Sequence, residues 1–278
     1  MEEFDALLPV FADQCETQIR TTTLAGKPRQ RPYVSYRNSP LPTMAGKRLF
    51  ILMYLRKATT QDIFGELCDM AQPVANQWIH RLHCYLNQAL AQLGASPARS
   101  AALDDDEVKL YLQDSTERPI QRPKEPEVQE DFYSGKKKRH TVKNNVLVNA
   151  KGAIVLLATP CEGKKHDKKI ADAAAFTLPE GSMLYQDTGF QGFALAGTTI
   201  FQPKKKPRGG ELTDDEKAQN RSISRIRVRV EHAIDGVKRY RIVKDQLRNW
   251  KTGFRDKVME TCCRLHNFRP WTYFSVIT

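Results

Sequence analysis

Apolar side chains between residues 47 and 93 recur every three or four positions, a spacing that predicts three consecutive helices. The sequence Thr-Thr-Gln-Asp at 59–62 predicts the start of the second helix, because a hydroxyl cap and an early acid favour a helix N-terminus. Pro73 fits the first turn of the third helix. The predicted apolar faces consist of Leu49, Leu52, Met53 and Leu55 in the first helix, Ile63, Leu67 and Met70 in the second, and Val74, Trp78, Leu82, Tyr85 and Ala89 in the third.

The opposite side of the third helix is polar and carries Gln72, Asn76, His80, His83 and Asn87. A short helix followed by a helix with a polar outer face is typical of the helix-turn-helix motif, whose second helix enters the major groove of DNA. Asn and Gln side chains can read base edges through paired hydrogen bonds. A plain three-helix bundle with a solvated face fits the same pattern, so the spacing alone leaves both interpretations open.

Beyond residue 106 the spacing of apolar positions changes to two, which predicts strands. Val108, Leu110 and Leu112 alternate with polar residues as far as Asp114, where the first strand is predicted to end. Three prolines between residues 118 and 129 predict a loop. The remaining predicted elements are strands at 141–149 and 153–159 joined by a hairpin turn, a helix at 167–176, a strand at 183–185 leading to Asp187, a turn at 188–192, a strand at 199–202, and helices at 221–240 and 250–268.

The helix predicted at 221–240 carries Glu231 among six basic residues. Its apolar side chains fall on one stripe, and Glu231 lies about 100° round the helix from Val230, at the edge of that stripe. An ion pair with Arg227 is one interpretation of this carboxylate. The other interpretation places the carboxylate at the seam where the helix packs on the rest of the domain.

The charge of the chain favours a polyanionic partner. The 278 residues carry a net charge of +12, with 11 Lys and Arg against 8 Asp and Glu in residues 1–100 and 33 against 24 in residues 101–278. A basic surface of this size attracts polyanions, of which nucleic acid is the commonest. No apolar run approaches the ~18 residues of a membrane-spanning helix, and the N-terminus lacks a signal-peptide charge pattern. We therefore expect a cytoplasmic protein with no membrane partner.

Two predicted strands lead to aspartates, Asp114 and Asp187, and Glu231 follows on the long helix. If the two strands are neighbours, both aspartates emerge at the same edge of the sheet. Three converging carboxylates repel each other unless a cation lies between them, and Mg²⁺ or Mn²⁺ suits carboxylate and phosphate oxygens. Two such ions ~3.5–4 Å apart would clamp the attacking and leaving oxygens of a phosphoryl displacement. Turn caps and ordinary ion pairs remain alternatives for each acid.

Six short motifs follow one another in the order found in a known family. They are DSTERPI with RP at 114–123, YSGKKK with HTVK at 133–143, Gly163 with His166 and Asp167, DTGFQG at 187–192, PKKKP at 203–207, and RVRVEH at 227–232. Together they closely resemble the DDE-type transposases of bacterial insertion sequences, in the group that shares its endonuclease domain with Harbinger-type elements. The resemblance runs from about residue 33 to residue 268 and includes the helix-turn-helix region.

The resemblance implies an α/β fold, with a ribonuclease-H-like mixed sheet and flanking helices preceded by an all-α helix-turn-helix domain. The expected segments are a helical or linker segment at 1–46, the helix-turn-helix domain at 47–100 and the catalytic domain at 101–278. Asp114, Asp187 and Glu231 are then the catalytic residues and the ligands of two Mg²⁺ (or Mn²⁺) ions. Two departures are Asp-Ser-Thr-Glu in place of the usual Asp-Gly-Thr-Glu, and Asp-Thr-Gly-Phe in place of Asp-Ser-Gly-Tyr. Ser115 is expected to cost backbone freedom in a turn after Asp114.

The implied function is that of a transposase, which binds the ends of a mobile DNA element and catalyses metal-dependent cleavage and strand transfer. Its expected partners are double-stranded DNA (terminal inverted repeats and target) and further copies of itself, in a homodimer or larger assembly associated with the bacterial nucleoid. A non-catalytic DNA-binding relic that acts as a repressor, and a metal-dependent endonuclease without strand transfer, are the alternatives.

The residues expected to contact DNA fall in two groups. Gln72, Asn76, Gln77 and His80 would read the terminal repeats. Phosphates would be held by the basic residues Lys136, Lys137, Lys138, Arg139, His140, Lys204, Lys205 and Lys206. Solvated basic loops are the alternative interpretation of the second group. His166 and Asp167 would either support the metal ligands or cap a helix, and the cap is favoured.

Overall fold

The computed structural model describes residues 2–31, 33, 39–100, 103, 109–249 and 251–269. Val108 and Trp250, which were assigned to predicted elements, lie outside the described residues. The elements follow in this order: α1 Glu2–Thr21, α2 Met44–Lys57, α3 Gln61–Glu66, α4 Gln72–Gln92, β1 Leu110–Pro119, α5 Pro126–Phe132, β2 Tyr133–Ser134, β3 Arg139–Asn149, β4 Ile154–Leu157, β5 Cys161–Glu162, α6 Asp167–Ala173, β6 Ser182–Gln186, a 3-10 turn Thr188–Phe190, β7 Thr198–Phe201, α7 Asp214–Lys238, α8 Arg241–Lys244 and α9 Phe254–Phe268.

The chain divides into two compact units. The first unit joins Met1–Ser96 to Lys238–Pro270, and the second unit is built on Pro97–Val237. These units do not coincide with the segments 1–46, 47–100 and 101–278 predicted from the sequence, because α8 and α9 pack with the N-terminal helices. Among the described residues, every helix is too short or too polar to span a lipid bilayer.

Helix α4 is the centre of the first unit. It packs against α1, α2, α3 and α9, and its apolar stripe is buried as predicted, with Trp78, Leu82, Tyr85 and Ala89 all withdrawn from solvent. Pro73 lies in its first turn, where the missing N–H costs nothing. The position and the buried apolar stripe of the predicted third helix are therefore confirmed. The predicted polar outer face is wrong at His83, which is buried because α9 covers it.

The predicted apolar face of α3 is wrong, and that of α2 is correct only in part, since Leu55 is buried. Ile63 is 51% exposed and Leu67 is 70% exposed, while α3 buries Phe64 instead. The ring of Phe64 lies 4.7 Å from that of Phe50 and 5.6 Å from that of Tyr54, between centroids. Apolar residues surround α2 on several sides, so their spacing could not select the buried face, and Leu49 and Met53 of the predicted face are exposed.

Helix α9 is fixed to α4 by polar and aromatic contacts. The His83 Nε2 lies 3.0 Å from the Thr261 Oγ1, and burial lowers the pKa of His83 to about 3, so the ring is neutral. The Phe254 ring meets His80 and His83 edge-on, at centroid distances of 4.7 and 5.1 Å. Arg264 donates from Nη1 to the Asn87 backbone oxygen at 2.6 Å and to its side-chain oxygen at 2.7 Å.

The second unit is a mixed sheet flanked by helices, in agreement with the predicted α/β class. The strand order is β2-β3-β1-β6-β7, and β4 and β5 also pair with β3. β1 is antiparallel to β3 and parallel to β6, and β6 is parallel to β7. One face of the sheet packs on α6 and the segments around it through an apolar core that includes Tyr111, Leu147, Leu156, Ala171, Phe176, Leu184 and Phe190.

The first strand is longer than predicted. β1 continues through Asp114 to Pro119, because its pairing with β3 extends to the Pro119–Thr141 pair. The loop predicted at 118–129 is therefore wrong at both ends, since Pro126 opens the short helix α5. Ser115 lies within the strand, so the expected loss of backbone freedom in a turn does not arise.

The sequence Thr-Asp-Asp-Glu at 213–216 predicts a helix start, and the structure confirms it. The helix that carries Glu231 begins there and continues without a break to Lys238, close to the end of the range 221–240 predicted for it. α7 starts at Asp214, where Thr213 and Glu216 form a reciprocal capping box: the Thr213 N–H donates to the Glu216 carboxylate at 2.9 Å, and the Glu216 N–H donates to the Thr213 hydroxyl at 3.2 Å. Its buried stripe includes Ile223, Val230 and Val237 as predicted.

Truncation of Phe254 tests the assignment of α9 to the first unit. Phe254→Ala removes a buried ring that contacts α4, so it should destabilise that unit by about 3–5 kcal/mol. Hydrogen exchange measured by mass spectrometry should show faster exchange in α4 and α9 and unchanged exchange in β1. Val228→Ala, a truncation at an exposed position of α7, is the control. Equal loss of protection in β1 would contradict the assignment.

Candidate functional site

Asp114 and Asp187 lie side by side on adjacent parallel strands. Gln113 of β1 pairs with Gln186 of β6, so the next residue along each strand is an aspartate. Alternation along the strands places both carboxylates on the face opposite to the two glutamines. Asp187 is also the residue that precedes the 3-10 turn Thr188–Phe190. The sequence left it open whether the two strands are neighbours, and the structure shows that they are.

The surroundings of Asp114 disfavour its negative charge. Burial raises the pKa of Asp114 to about 6, and the nearby carboxylates of Asp187 and Asp167 act in the same direction. A hydrogen bond from the Ser115 N–H at 2.7 Å and the positive charge of Arg227 partly oppose this rise. Burial is therefore the main reason why the charged form of Asp114 is disfavoured.

Arg227 supplies the principal countercharge from α7. Its Nη1 lies 3.2 Å from the Asp187 Oδ1, and its side chain is 11% exposed. The sequence allowed an ion pair between Arg227 and Glu231, one helical turn apart, but the structure pairs Arg227 with Asp187. Glu231 is exposed on the next turn of α7.

The carboxylates of Asp114 and Asp187 suit a divalent cation, but they are only two of the three predicted ligands. Mg²⁺ in proteins is typically bound by one or two carboxylates and completes its shell with waters and substrate phosphates, and the Asp114–Asp187 pair offers such a set. Among the described residues, no three His, Cys, Asp or Glu side chains are close enough together to hold a metal ion. The structure thus brings together two of the three predicted ligands.

A second charged cluster lies on the other face of β1, and sequence reasoning missed its centre. Lys143 of β3 contacts Asp167 at 3.3 Å and Glu117 at 3.8 Å, and it donates to the Lys165 backbone oxygen at 2.9 Å. Glu117 and Lys143 are directly opposite in the β1–β3 register. This pairing could not be read from the sequence because the first strand was predicted to end at Asp114.

His166 and Asp167 lie at the start of α6. His166 occupies the cap position without a side-chain cap hydrogen bond, and Asp167 is ion-paired with Lys143. A Cβ added at Gly189 would lie 2.9 Å from the Asp167 Oδ2, so the turn after Asp187 approaches this carboxylate closely. The absence of a side chain at Gly189 therefore allows the turn to pack beside Asp167.

Three glutamines fix the turn that carries Asp187. Gln186 donates to Gln113 across the buried strand pair, and Gln202 donates to the Gln186 side-chain oxygen at 2.7 Å. Gln202 also donates to the backbone oxygen of Phe190 at 3.0 Å. This ladder ties β1, β6 and the 3-10 turn together, which positions Asp187 beside Asp114.

The two basic loops are exposed, as a phosphate-binding role requires. Lys136, Lys137, Lys138 and Arg139 are exposed at the turn between β2 and β3, and His140 is half-buried with its ring 5.6 Å from that of Tyr133. In the second loop, Lys204 is held to α7 by an ion pair with Glu216 and by reciprocal hydrogen bonds with Asn220 at 2.8 and 3.0 Å. Lys206 contacts Glu211, and Lys205 is exposed.

The residues predicted to read bases occupy different environments in the first unit. Gln72 and Asn76 both donate to the Gln61 side-chain oxygen, at 3.0 and 2.8 Å. Gln77 is exposed. His80 is half-buried, with its Nε2 3.1 Å from the Asn249 side-chain nitrogen and its ring against Phe254. His80 is therefore part of the packing between α4 and the C-terminal segment.

Replacing Asp114 by Asn tests the electrostatics of the site. Because folding raises the pKa of Asp114 from 3.8 to about 6, its protonated form adds stability that is complete below pH 3.8 and is lost as the pH rises through about 6. Between pH 3.5 and pH 8, the free energy of unfolding of wild type should therefore fall by roughly 2–3 kcal/mol more than that of Asp114→Asn. Hydrogen exchange of β1 amides measures this free energy.

Arg227→Gln is the matched comparison. It removes a charge that lowers the pKa of Asp114, so the loss of stability should extend to higher pH than in wild type. A constant difference between Asp114→Asn and wild type from pH 3.5 to pH 8 would contradict this account of the site.

Comparison with known proteins identifies the family. A family model described as DDE superfamily endonuclease matches residues 113–267. A protein of Microchaete diplosiphon, described as the probable transposase for insertion sequence element IS702, is 32% identical over 140 residues, which is 50% of this chain and 50% of that protein. The chain spans about half the length of this curated relative. No solved structure matches the chain.

The matched segment contains Asp114, Asp187 and Glu231, and it covers more than half of the 278 residues. The resemblance to DDE-type insertion-sequence transposases that the six motifs indicate is thereby confirmed, and the chain belongs to the DDE superfamily endonucleases.

Proposed function

We propose that this protein is a transposase whose second unit cleaves and joins DNA through a divalent-metal site formed by Asp114, Asp187 and Glu231. The observation that carries the proposal is the pair of aspartates on adjacent parallel strands, with an arginine of the following long helix in contact with one of them. Two carboxylates placed together in a basic domain create a site for a cation that also binds phosphate.

The sheet supports a ribonuclease-H-like fold for the second unit. Strand β1 is central in this sheet. On one side of it β3 is antiparallel to β1 and β4 is antiparallel to β3, and on the other side lie the parallel strands β6 and β7. Both parallel strands and α7 then lie downstream of the hairpins in the sequence. This is the arrangement expected if the first acid lies on the central strand, the second after its parallel neighbour and the third on the last helix.

Glu231 is the proposed third ligand. It follows Arg227 by one turn of α7, so the two side chains share one side of that helix. Since Arg227 contacts Asp187, the helix presents this side toward the aspartates. We infer that Glu231 turns toward Asp114 and Asp187 when a metal ion and DNA phosphate are bound.

Each residue of the proposed site has a distinct part in the reaction. Asp114, Asp187 and Glu231 would hold divalent ions, Mg²⁺ or Mn²⁺, which when bound polarise the phosphate and lower the pKa of the attacking water or 3′-hydroxyl. The Gln113–Gln186–Gln202 ladder would keep Asp187 in position during the reaction. Arg227 would release Asp187 and would then stabilise the negative charge that develops on the phosphate.

DNA binding is proposed to involve both units. The exposed Lys136–Arg139 turn and the Lys204–Lys206 loop would contact phosphates and make binding strongly salt-dependent. Helices α3 and α4 of the first unit would form the helix-turn-helix motif that recognises the element's ends. Two ends have to be held together, so we propose a homodimer or larger assembly on DNA.

Cleavage of a labelled duplex tests this function. The duplex is taken from the DNA that flanks the coding sequence, and it is incubated with the full chain and Mg²⁺ or Mn²⁺. Asp187→Asn and Glu231→Gln should bind the duplex as wild type does but cut and join it at least roughly 10²-fold more slowly. Asp172→Asn, at an exposed acid of α6, is the control and should react normally.

The possible outcomes separate the candidate functions. Cutting without joining would support an endonuclease without strand transfer. Binding of the duplex with no cutting under either metal would support a DNA-binding relic. Normal cutting by Glu231→Gln would remove Glu231 from the site.

A further inference from the structure

The first unit contains a cleft of about 430 Å³ between the N-terminal ends of α3 and α4 and the segment that follows α8. We call it the amide cleft, because its polar lining contains five carboxamides, those of Gln61, Gln72, Asn76, Gln246 and Asn249, together with Thr59, Thr60, Asp62 and Arg248. We propose that the amide cleft binds a nucleobase of DNA that is not stacked in the duplex. The proposal rests on the proposed DNA-binding function but not on catalysis.

The shape and lining of the cleft suit a planar, polar-edged ligand. Tyr54, Ile242 and Leu247 are buried and form its apolar floor. Gln72, Gln246 and Arg248 are exposed and form its rim. A base presents an apolar face and an edge of hydrogen-bonding groups, and extruded bases in proteins are held by apolar contact on the face and hydrogen bonds on the edge. The volume lies within the roughly 300–1,000 Å³ range of ligand sites.

The carboxamides are oriented before any ligand arrives. The Gln61 oxygen accepts from the amide nitrogens of both Gln72 and Asn76, and the Gln61 side chain also hydrogen-bonds the Tyr54 hydroxyl. Asn249 is fixed by His80 and by the Lys251 N–H, which donates to its side-chain oxygen at 2.9 Å. Among the described residues, no donor approaches the side-chain oxygens of Gln72 and Asn76, which are therefore available to accept hydrogen bonds. Such acceptors suit the amino groups of adenine, cytosine and guanine.

The charge around the cleft favours a nucleic acid over an acidic or neutral peptide. Residues 238–251 contain six Lys and Arg residues and one acid. That acid, Asp245, is already paired with Arg241 at 2.8 Å. A polyanion would therefore be attracted to this segment, and its bases would meet the carboxamides. Within the lining, the charges of Asp62 and Arg248 offset each other. The excess positive charge therefore lies around the cleft, where it would attract a polyanion, and the remaining polar groups inside it are neutral, which does not suit a simple anion.

Mononucleotides provide a direct test with the full chain. The isotope-labelled protein is titrated separately with dAMP, dGMP, dCMP and dTMP, and with 2-deoxyribose 5-phosphate as the base-free comparison, while side-chain amide signals are followed by NMR. We expect the signals of Gln72, Asn76 and Gln246 to shift with at least one mononucleotide and not with the base-free sugar phosphate. Asn76→Ala should weaken this binding roughly ten-fold through the loss of one acceptor.

Two further variants keep the result interpretable. Gln246→Ala alters the rim outside any helix, so it tests the cleft if Asn76→Ala does not fold, and it should weaken binding in the same way. Gln88→Ala, at an exposed amide of α4 that does not line the cleft, should bind as wild type does. The titration involves no cleavage step, so a failure of the cleavage experiment would leave this test unaffected.

Three results would overturn the proposal. One is the absence of shifts in the cleft with every mononucleotide. Another is an equal response to the base-free sugar phosphate, which would indicate a phosphate site. The third is unchanged binding by both Asn76→Ala and Gln246→Ala.

Discussion

The proximity of Asp114 and Asp187 is the constraint on which the organisation of the second unit depends. Two carboxylates on adjacent parallel strands repel each other, and burial of Asp114 adds to that cost. The structure offsets the repulsion with Arg227 from α7 and holds the geometry with a buried ladder of glutamines on the other face of the sheet. This arrangement is the basis of the proposed cation site.

The position of α7 connects fold and chemistry. A capping box starts the helix, buried residues such as Val230 fix it against the domain, and Lys204 of the basic loop is tied to its first turns. The same helix therefore positions the basic loop that is proposed to bind phosphate, the arginine that contacts Asp187 and the proposed ligand Glu231. The C-terminal residues beyond it join the first unit, where they form the amide cleft with α3 and α4.

Much of the fold and the two-aspartate site could be predicted because strong local patterns determine them. The alternation before Asp114 and the short strand before Asp187 predicted two strands that lead to acids. That these strands pair, in a register that brings the two acids together, is known only from the structure. The faces of α2 and α3 were not predictable, since apolar residues occupy several sides of these helices. The extension of β1 to Pro119 and the pairing of Lys143 with Glu117 depend on contacts between distant parts of the chain. Arg227 forms its ion pair with Asp187 and not with Glu231 because of tertiary packing, which the spacing of residues along a helix does not predict.

The central claim is that Asp114, Asp187 and Glu231 together form one metal site. Binding of Mn²⁺ to the full chain, measured by electron paramagnetic resonance of the free ion, tests this claim without requiring a DNA substrate. The account predicts that Asp114→Asn, Asp187→Asn and Glu231→Gln each weaken Mn²⁺ binding by roughly ten-fold or more, whereas Asp172→Asn does not. Wild-type affinity in Glu231→Gln, or equal affinity in all four variants, would contradict it.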